Sequence, residues 1–458
     1  MELLNKIAQY KEYKSGVKHC TFNPDGPGVV RIHLIPPKFR LFTCNSYILL
    51  LNGYYMIPLG YSWAIMLSAF IDEVGKYDGR EISEEKYTEI YANTVARAHK
   101  VYPTADVKDI REDLAYMLDV IFAVANGEMT DAEIDRMSIR SYATNMYAPH
   151  RMDLMVSAMT DADGRWKCNQ RCLFCYAAGE CLSSTRELST EEWKSAIDKL
   201  RDAGVPMITF TGGEPTMRED ICELIDYSRW FVTRLNTNGV LLAAELCRDL
   251  RDASLDSVQI TLYSHDEDIH NSLVGSSHFA DTVRGIKNAV SAGLDVSINT
   301  PLCKKNADYV ETLKFIASLG VRFVTVSGLI CTGMAEGSHN EYDLNSDELF
   351  NIVRQAKEYC NENGMEIDFT SPGLIDEERL RGINMNAPMC GACLSNMAIA
   401  PDGSVIPCQS WLDGESSLGN ILTDSFKKIW SSAGCRSLRY MTDEEAKCCP
   451  FRKRGQNG

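Results

Sequence analysis

No charged side chain occurs between Leu41 and Ile71, and the stretch from Tyr47 to Ile71 is long enough to span a bilayer. A spanning helix must run unbroken, however. Asn52-Gly53 is a strong hairpin signal, and Pro58 and Gly60 interrupt the remainder of the run. The expected structure is therefore a hairpin of residues 46–51 and 54–58 followed by a buried helix over 62–74, with no membrane segment. A basic surplus is also missing. Lys and Arg number 47 against 63 Asp and Glu, and the net charge of −16 excludes a phosphate-binding surface and hence a nucleic-acid partner. The opening Met1-Glu2-Leu3-Leu4-Asn5-Lys6 lacks a basic stretch followed by an apolar one, so a cytoplasmic, reducing location is expected.

Another absence carries more chemistry. Cys168, Cys172 and Cys175 form a Cys-x3-Cys-x2-Cys triplet with no fourth cysteine at matching spacing. Three thiolates hold three irons of a cubane cluster and leave the fourth open to a ligand, whereas electron carriers take four cysteines. Spacing alone also admits zinc with a distant fourth ligand.

From about residue 151 to 335, short apolar runs alternate with helical patterns. Strands are expected at 207–211, 233–236, 257–262, 296–300 and 323–326. Helices are expected from Ser189-Thr190-Glu191-Glu192 to Gly204, over 241–253, and over 280–292 before Gly293. This alternation predicts an α/β fold with a parallel sheet curled into a partial barrel, with ligands at the C-terminal strand ends. The cysteine loop, Gly212-Gly213-Glu214-Pro215 and Asn236-Thr237-Asn238-Gly239 all fall at those ends.

The triplet followed by Thr209-Phe210-Thr211-Gly212-Gly213-Glu214-Pro215 and Leu235-Asn236-Thr237-Asn238-Gly239 resembles the radical S-adenosylmethionine (SAM) enzymes. The resemblance implies a partial (β/α)6 TIM-like barrel over 151–345. Cys168, Cys172 and Cys175 would carry a [4Fe-4S] cluster whose open iron is chelated by SAM. Phe174, Gly212, Gly213, Glu214, Pro215, Asn236 and Asn238 become candidate cofactor contacts. The glycines are expected to let backbone approach the ligand. Gln259, Thr261 and Asn299 lie where peptide-modifying members contact SAM and join the set. His270 and His278 are assigned no catalytic role, and no general acid or base stands out.

Residues 1–145 read differently: a half-buried strand over 29–35, the hairpin, then helices from Ser83 towards Tyr102, over 107–126, and from Thr130-Asp131-Ala132-Glu133. Three strands followed by helices resemble the winged-helix-like domain that binds precursor leaders as an added strand. After a linker or bridging helix over 346–385, residues 386–458 hold Cys390, Cys393, Cys408, Cys435, Cys448 and Cys449. Cys390-x12-Gly403-x4-Cys408 resembles the opening of SPASM and twitch domains, with Gly419-Asn420-Ile421 and Ile429-Trp430 continuing the match. The fuller cysteine series is missing, so one auxiliary [4Fe-4S] cluster is expected, and six cysteines leave room for a second. Cys393 stands where the family usually has glycine.

Together these features imply a radical SAM enzyme that modifies a ribosomally made precursor peptide held through its leader. A flavodoxin or ferredoxin-type protein would supply electrons. A thioether between a cysteine sulfur and a carbon is the first expectation, ahead of carbon–carbon bonds and epimerisation. An oxidase of the sulfatase-maturing or small-molecule type is the competing enzyme, and a redox-sensing scaffold the non-enzymatic one.

Overall fold

The computed structural model describes residues 16–23, 29–37, 46–77, 82–132, 134, 137–143, 146–161, 163–330, 332–336 and 339–450. The chain divides into two compact units. One holds 1–150 with 200–207 and 230–232, and the other holds 151–199, 208–229 and 233–458.

The first unit carries an antiparallel sheet in the order β1 (Lys18–Phe22), β2 (Val30–Ile35), β3 (Tyr47–Leu51), β4 (Tyr55–Leu59). β1 was not expected, so the sheet has four strands rather than three. β3 and β4 form the predicted hairpin, with Asn52 and Gly53 both at positive φ. Every residue of β2 is buried, including Arg31 and His33, so the alternation that suggested a half-exposed strand marks a sheet covered on both faces. Helices α1 (Tyr61–Val74), α2 (Glu84–Val101) and α3 (Val107–Ala125) follow. Ser83 caps α2 by accepting from Lys86 N, and Asp106 caps α3 by accepting from Lys108 N. Leu49, Leu51, Phe70, Leu114 and Ile121 belong to one core. The uncharged run is thus consumed by a hairpin and a core helix, apart from residues 41–45, which lie outside the described residues. No described helix is long and apolar enough to cross a membrane. Among the described residues, the helix expected to open at Thr130 does not form. Thr130 Oγ1 instead accepts from Ala132 N in a bend, while Glu133 lies outside the described residues, and the next helix is the short Ile139–Tyr142.

The second unit is built on a ten-stranded sheet ordered β11-β10-β9-β8-β7-β6-β5-β12-β13-β14. Its strands are β5 (Arg151–Ser157), β6 (Met207–Gly212), β7 (Val232–Thr237), β8 (Ser257–Thr261), β9 (Asp295–Pro301), β10 (Phe323–Ser327), β11 (Glu366–Phe369), β12 (Asn396–Ile399), β13 (Ser404–Ile406) and β14 (Gly419–Asn420). β7 through β11 pair in parallel. Between the strands run α4 (Thr190–Ala203), α5 (Ile221–Tyr227), α6 (Ala244–Asp252), α7 (Glu267–Val274), α8 (Phe279–Ser291), α9 (Tyr309–Ser318) and α10 (Ser346–Glu362). Burial alternates along β7 to β10. Leu235, Val258, Ile298 and Val324 are fully packed, while Arg234, Asn236, Gln259, Thr261, Asn299 and Thr325 lie on the half-buried face.

Residues 346–385, read as a linker or bridging helix, hold the helix α10 and then β11, which extends the parallel sheet by one more strand against β10. In the cysteine-rich end β12 pairs in parallel with β5, and β13 and β14 continue the same sheet.

Gly285 shows how tightly the loops are packed. A Cβ there would meet the Gly239 carbonyl oxygen at 2.0 Å. Replacing a glycine inside a helix with alanine ordinarily stabilises by about 1 kcal/mol. For Gly285→Ala we expect the opposite, a loss of about 1–3 kcal/mol, read as a lower midpoint in urea or thermal unfolding.

Candidate functional site

The three cysteines sit on the long connection between β5 and α4, which is tied down on several sides. Arg171 N and Leu173 N donate to Val274 O and Leu273 O at the end of α7, and Met334 N donates to Cys175 O. Trp166 Nε1 donates to Gln170 O at 2.9 Å, with the Arg171 guanidinium 4.9 Å from the Trp166 ring centre. Cys168, Cys172 and Cys175 therefore hang from a braced loop on the wall of a cavity of about 520 Å³. Burial pushes the Cys168 thiol up to about 12, and burial followed by the two neighbouring sulfurs raises that of Cys172.

Glu214 is the most heavily engaged group at the site. Its Oε1 accepts from Thr216 N (3.0 Å), Thr216 Oγ1 (2.6 Å) and Thr237 Oγ1 (2.7 Å), and its Oε2 accepts from Asn238 N (2.8 Å). Asn238 Nδ2 then reaches Asn169 Oδ1 in the cysteine loop at 2.5 Å. Burial raises the carboxyl pKa, and these donors oppose the rise. The glycines before it are also closely packed against the chain. A Cβ on Gly212 would meet Ser157 O at 2.4 Å, and one on Gly213 would meet Ala158 O at 2.7 Å. What their bareness permits is close packing of this turn on the end of β5.

Phe174, Gly212, Gly213, Glu214, Asn236, Asn238, Gln259, Thr261 and Asn299 all line the cavity. Pro215 does not. It is buried as the first residue of a 3-10 turn, where its missing N–H leaves nothing unpaired. Across the strands, Gln259 Nε2 donates to Thr325 Oγ1 (3.2 Å), which donates to Asn299 Oδ1 (2.9 Å). Asn236 Oδ1 and Thr209 Oγ1 are buried without a partner among the described residues. Sequence reasoning missed Thr325, Arg234 and Arg151. Counting in twos back from Asn236 would have found Arg234.

The C-terminal cysteines separate. Cys390, Cys408 and Cys449 line the same cavity as the first triplet. Cys393 and Cys435, both expected as ligands, are fully buried away from it. Arg439 Nη1 donates to Cys435 Sγ at 3.3 Å while its guanidinium lies 3.7 Å over the Trp430 ring. The Cys393 thiol and then Arg439 favour the Cys435 thiolate. Cys393 adopts φ 57, a left-handed conformation that explains why glycine is usual there. Cys448 also lies off the cavity wall, its Sγ 3.7 Å from Cys449 O. His270 is buried with Nδ1 accepting from Tyr263 N, and burial lowers it to about 4, so it is neutral at pH 7.

A family model described as the radical SAM superfamily matches residues 167–316, and one described as an iron–sulfur cluster-binding domain, SPASM, matches 390–450. The Fe-coproporphyrin III synthase of Methanosarcina barkeri is 37% identical over 290 residues, 58% of this chain and 71% of that protein. The chain belongs to the radical SAM superfamily. The mycofactocin maturase MftC of Mycolicibacterium smegmatis is 27% identical over 274 residues, 58% of this chain and 68% of the other. In fold, the chain matches Streptococcus suis SuiB, solved bound to precursor peptide SuiA, with TM-score 0.59 at 15% identity over 86% of this chain and 88% of that one.

This radical SAM enzyme works with SAM, a [4Fe-4S] cluster and the auxiliary iron–sulfur chemistry of its SPASM domain. Its residues fit those groups. Cys168, Cys172 and Cys175 line one cavity from a single loop, and a cubane meets each cysteine through a different iron. The orphaned Asn236 and Thr209 oxygens suit a polar ligand in the same cavity.

Glu214→Gln tests the bracing role. An amide cannot accept on both sides, so one of the four donors meets an NH2 group. We expect a loss of about 1–3 kcal/mol in urea unfolding; an unchanged midpoint would show that the carboxylate is not the brace.

Proposed function

We propose that this chain is a maturase that modifies a ribosomally synthesised precursor peptide, and that its first product is a thioether crosslink. Two sets of three cysteines facing one cavity carry this reading. In it, Cys168, Cys172 and Cys175 hold the SAM-binding cluster, and Cys390, Cys408 and Cys449 hold an auxiliary one. Reduced by a flavodoxin or ferredoxin-type donor, the SAM-bound cluster supplies a deoxyadenosyl radical that takes hydrogen from carbon.

The chain's own groups position and exclude. Asn236, Thr209 and the Gln259–Thr325–Asn299 row offer polar contacts to SAM, while Phe174 and Leu329 keep water from the reacting carbon. Cys390, Cys408 and Cys449 would hold three irons of such a cluster, and with no further C-terminal cysteine on the cavity wall among the described residues an iron would be open to a peptide cysteine sulfur, which favours the thioether reading. The sheet and helices before residue 146 have their use as a leader-binding domain, and the fold likeness to SuiB across 86% of the chain supports that assignment. A second reading, a small-molecule radical SAM enzyme, draws on the 37% identity to a protein named for a porphyrin. It gives the first unit no substrate to hold.

One measurement tests the cysteine assignment and a second separates the two readings. Iron counted after anaerobic reconstitution should fall by about one cluster in Cys168→Ala/Cys172→Ala/Cys175→Ala and again in Cys408→Ala, while Cys393→Gly keeps the wild-type content. Equal iron loss in Cys393→Gly would return Cys393 to the ligand set. Incubation with the peptide encoded beside the gene should yield deoxyadenosine and a product lighter by two hydrogens. Deoxyadenosine with no change in peptide mass would sink the maturase reading.

A further inference from the structure

Two of the C-terminal cysteines stay out of the cavity and meet each other. Cys393, on the turn into β12, and Cys435, on the helix Ala433–Arg439, are both fully buried, and the Cys393 thiol donates to the Cys435 sulfur. Cys393 N donates to Asn396 O (3.0 Å) and Pro407 O (3.1 Å), which fixes this residue to the backbone just before Cys408. At φ 57 a cysteine is more strained than a glycine, so the side chain sits here against a backbone cost. The group beside the pair is a cation without a carboxylate. Arg439 is buried, and among the described residues no Asp or Glu lies in ion-pair range of it. Its Nη1 and Nη2 each donate to Trp430 O at 3.2 Å, and the guanidinium lies 3.7 Å over the Trp430 ring, but neither contact supplies a negative charge. Nη1 also donates to Cys435 Sγ at 3.3 Å. A buried guanidinium is costly without an anion. A Cys435 thiolate is that anion, and the Cys393 S–H gives it a second hydrogen bond.

We propose that Cys393 and Cys435 form a thiol–disulfide pair, distinct from the cluster ligands, in which Cys435 is the nucleophile, Arg439 its counterion, and a low-molecular-weight disulfide such as oxidised glutathione the oxidant. Burial keeps the pair from the reagent until the short helix Ala433–Arg439 opens locally, so exchange is slow. The Cys435 thiolate attacks one sulfur of the reagent, forming a mixed disulfide and releasing one thiolate. Cys393 then loses its proton and attacks the Cys435 sulfur; the mixed disulfide breaks, the Cys393–Cys435 bond forms and the second thiolate leaves. Two electrons pass from the pair to the reagent, and the Cys393 proton ends on one of the two released sulfurs. Because Arg439 stabilises the thiolate, the reduced form is favoured and the pair is readily reduced. Once closed, it ties the helix to the segment that leads into Cys408.

The test holds cluster-loaded, full-length enzyme in anaerobic mixtures of reduced and oxidised glutathione, then quenches in acid, alkylates with N-ethylmaleimide and reads peptide masses. Cys393 and Cys435 should appear joined and free of maleimide, and Cys393→Gly and Cys435→Ala should each abolish the joined peptide. Wild type in which the two are never joined at any ratio, or in which Cys435 joins another cysteine, overturns the pair. Arg439→Gln should close the disulfide at a ratio of oxidised to reduced glutathione at least about tenfold lower than wild type needs, because its reduced form has lost the cation beside the thiolate. Arg439→Lys retains a charge and should stay near wild type, which guards against a merely misfolded Gln variant. A midpoint in Arg439→Gln equal to wild type, or one in Arg439→Lys equal to that of Arg439→Gln, overturns the counterion role. Iron in Cys435→Ala should match wild type; loss of a cluster's iron makes Cys435 a ligand, which overturns the inference and leaves the maturase reading standing.

Discussion

The Glu214 carboxylate accepts four hydrogen bonds, and the site depends on where they come from. Thr216 belongs to the turn after β6, while Thr237 and Asn238 belong to the end of β7. Through Asn238 the same order passes to Asn169, one residue beyond Cys168. A buried carboxylate is costly unless fully paired, so this one locks its neighbours into the single arrangement that satisfies it. The thiols, the strand ends and the glycine turn are held by one network of polar contacts. Gly212 and Gly213 contribute by letting the turn come down onto β5, which brings Glu214 within reach of its donors.

Charge in the cavity is distributed on the same basis. Glu214 is committed to loop structure, and Asp153 is paired with Arg151 at 2.8 Å. Among the described residues, Arg234 lines the cavity with a 3.5 Å contact to Ser257 Oγ and no carboxylate in ion-pair range, and burial lowers its pKa. In the proposed assignment two sets of thiolates would add negative charge to this space, and the Arg234 guanidinium on the same cavity wall would offset part of it.

Much of this was legible in the sequence because backbone pattern and motif agreed. The strands around 207–211 and 233–236 appear within a residue or two of their expected ends, since apolar alternation, helix caps and glycine stops all act locally. The residues taken from the barrel motifs, Cys168 to Asn299, line the cavity with the exception of Pro215, because a neighbour in sequence need not be a neighbour in space. The tail was harder. Spacing could not tell Cys390, Cys408 and Cys449 from Cys393 and Cys435, because the division depends on how Arg439 and Trp430 fold over the latter pair. β11 was hidden for another reason: four residues on an edge carry too short an alternation to stand out beside the long helix before them.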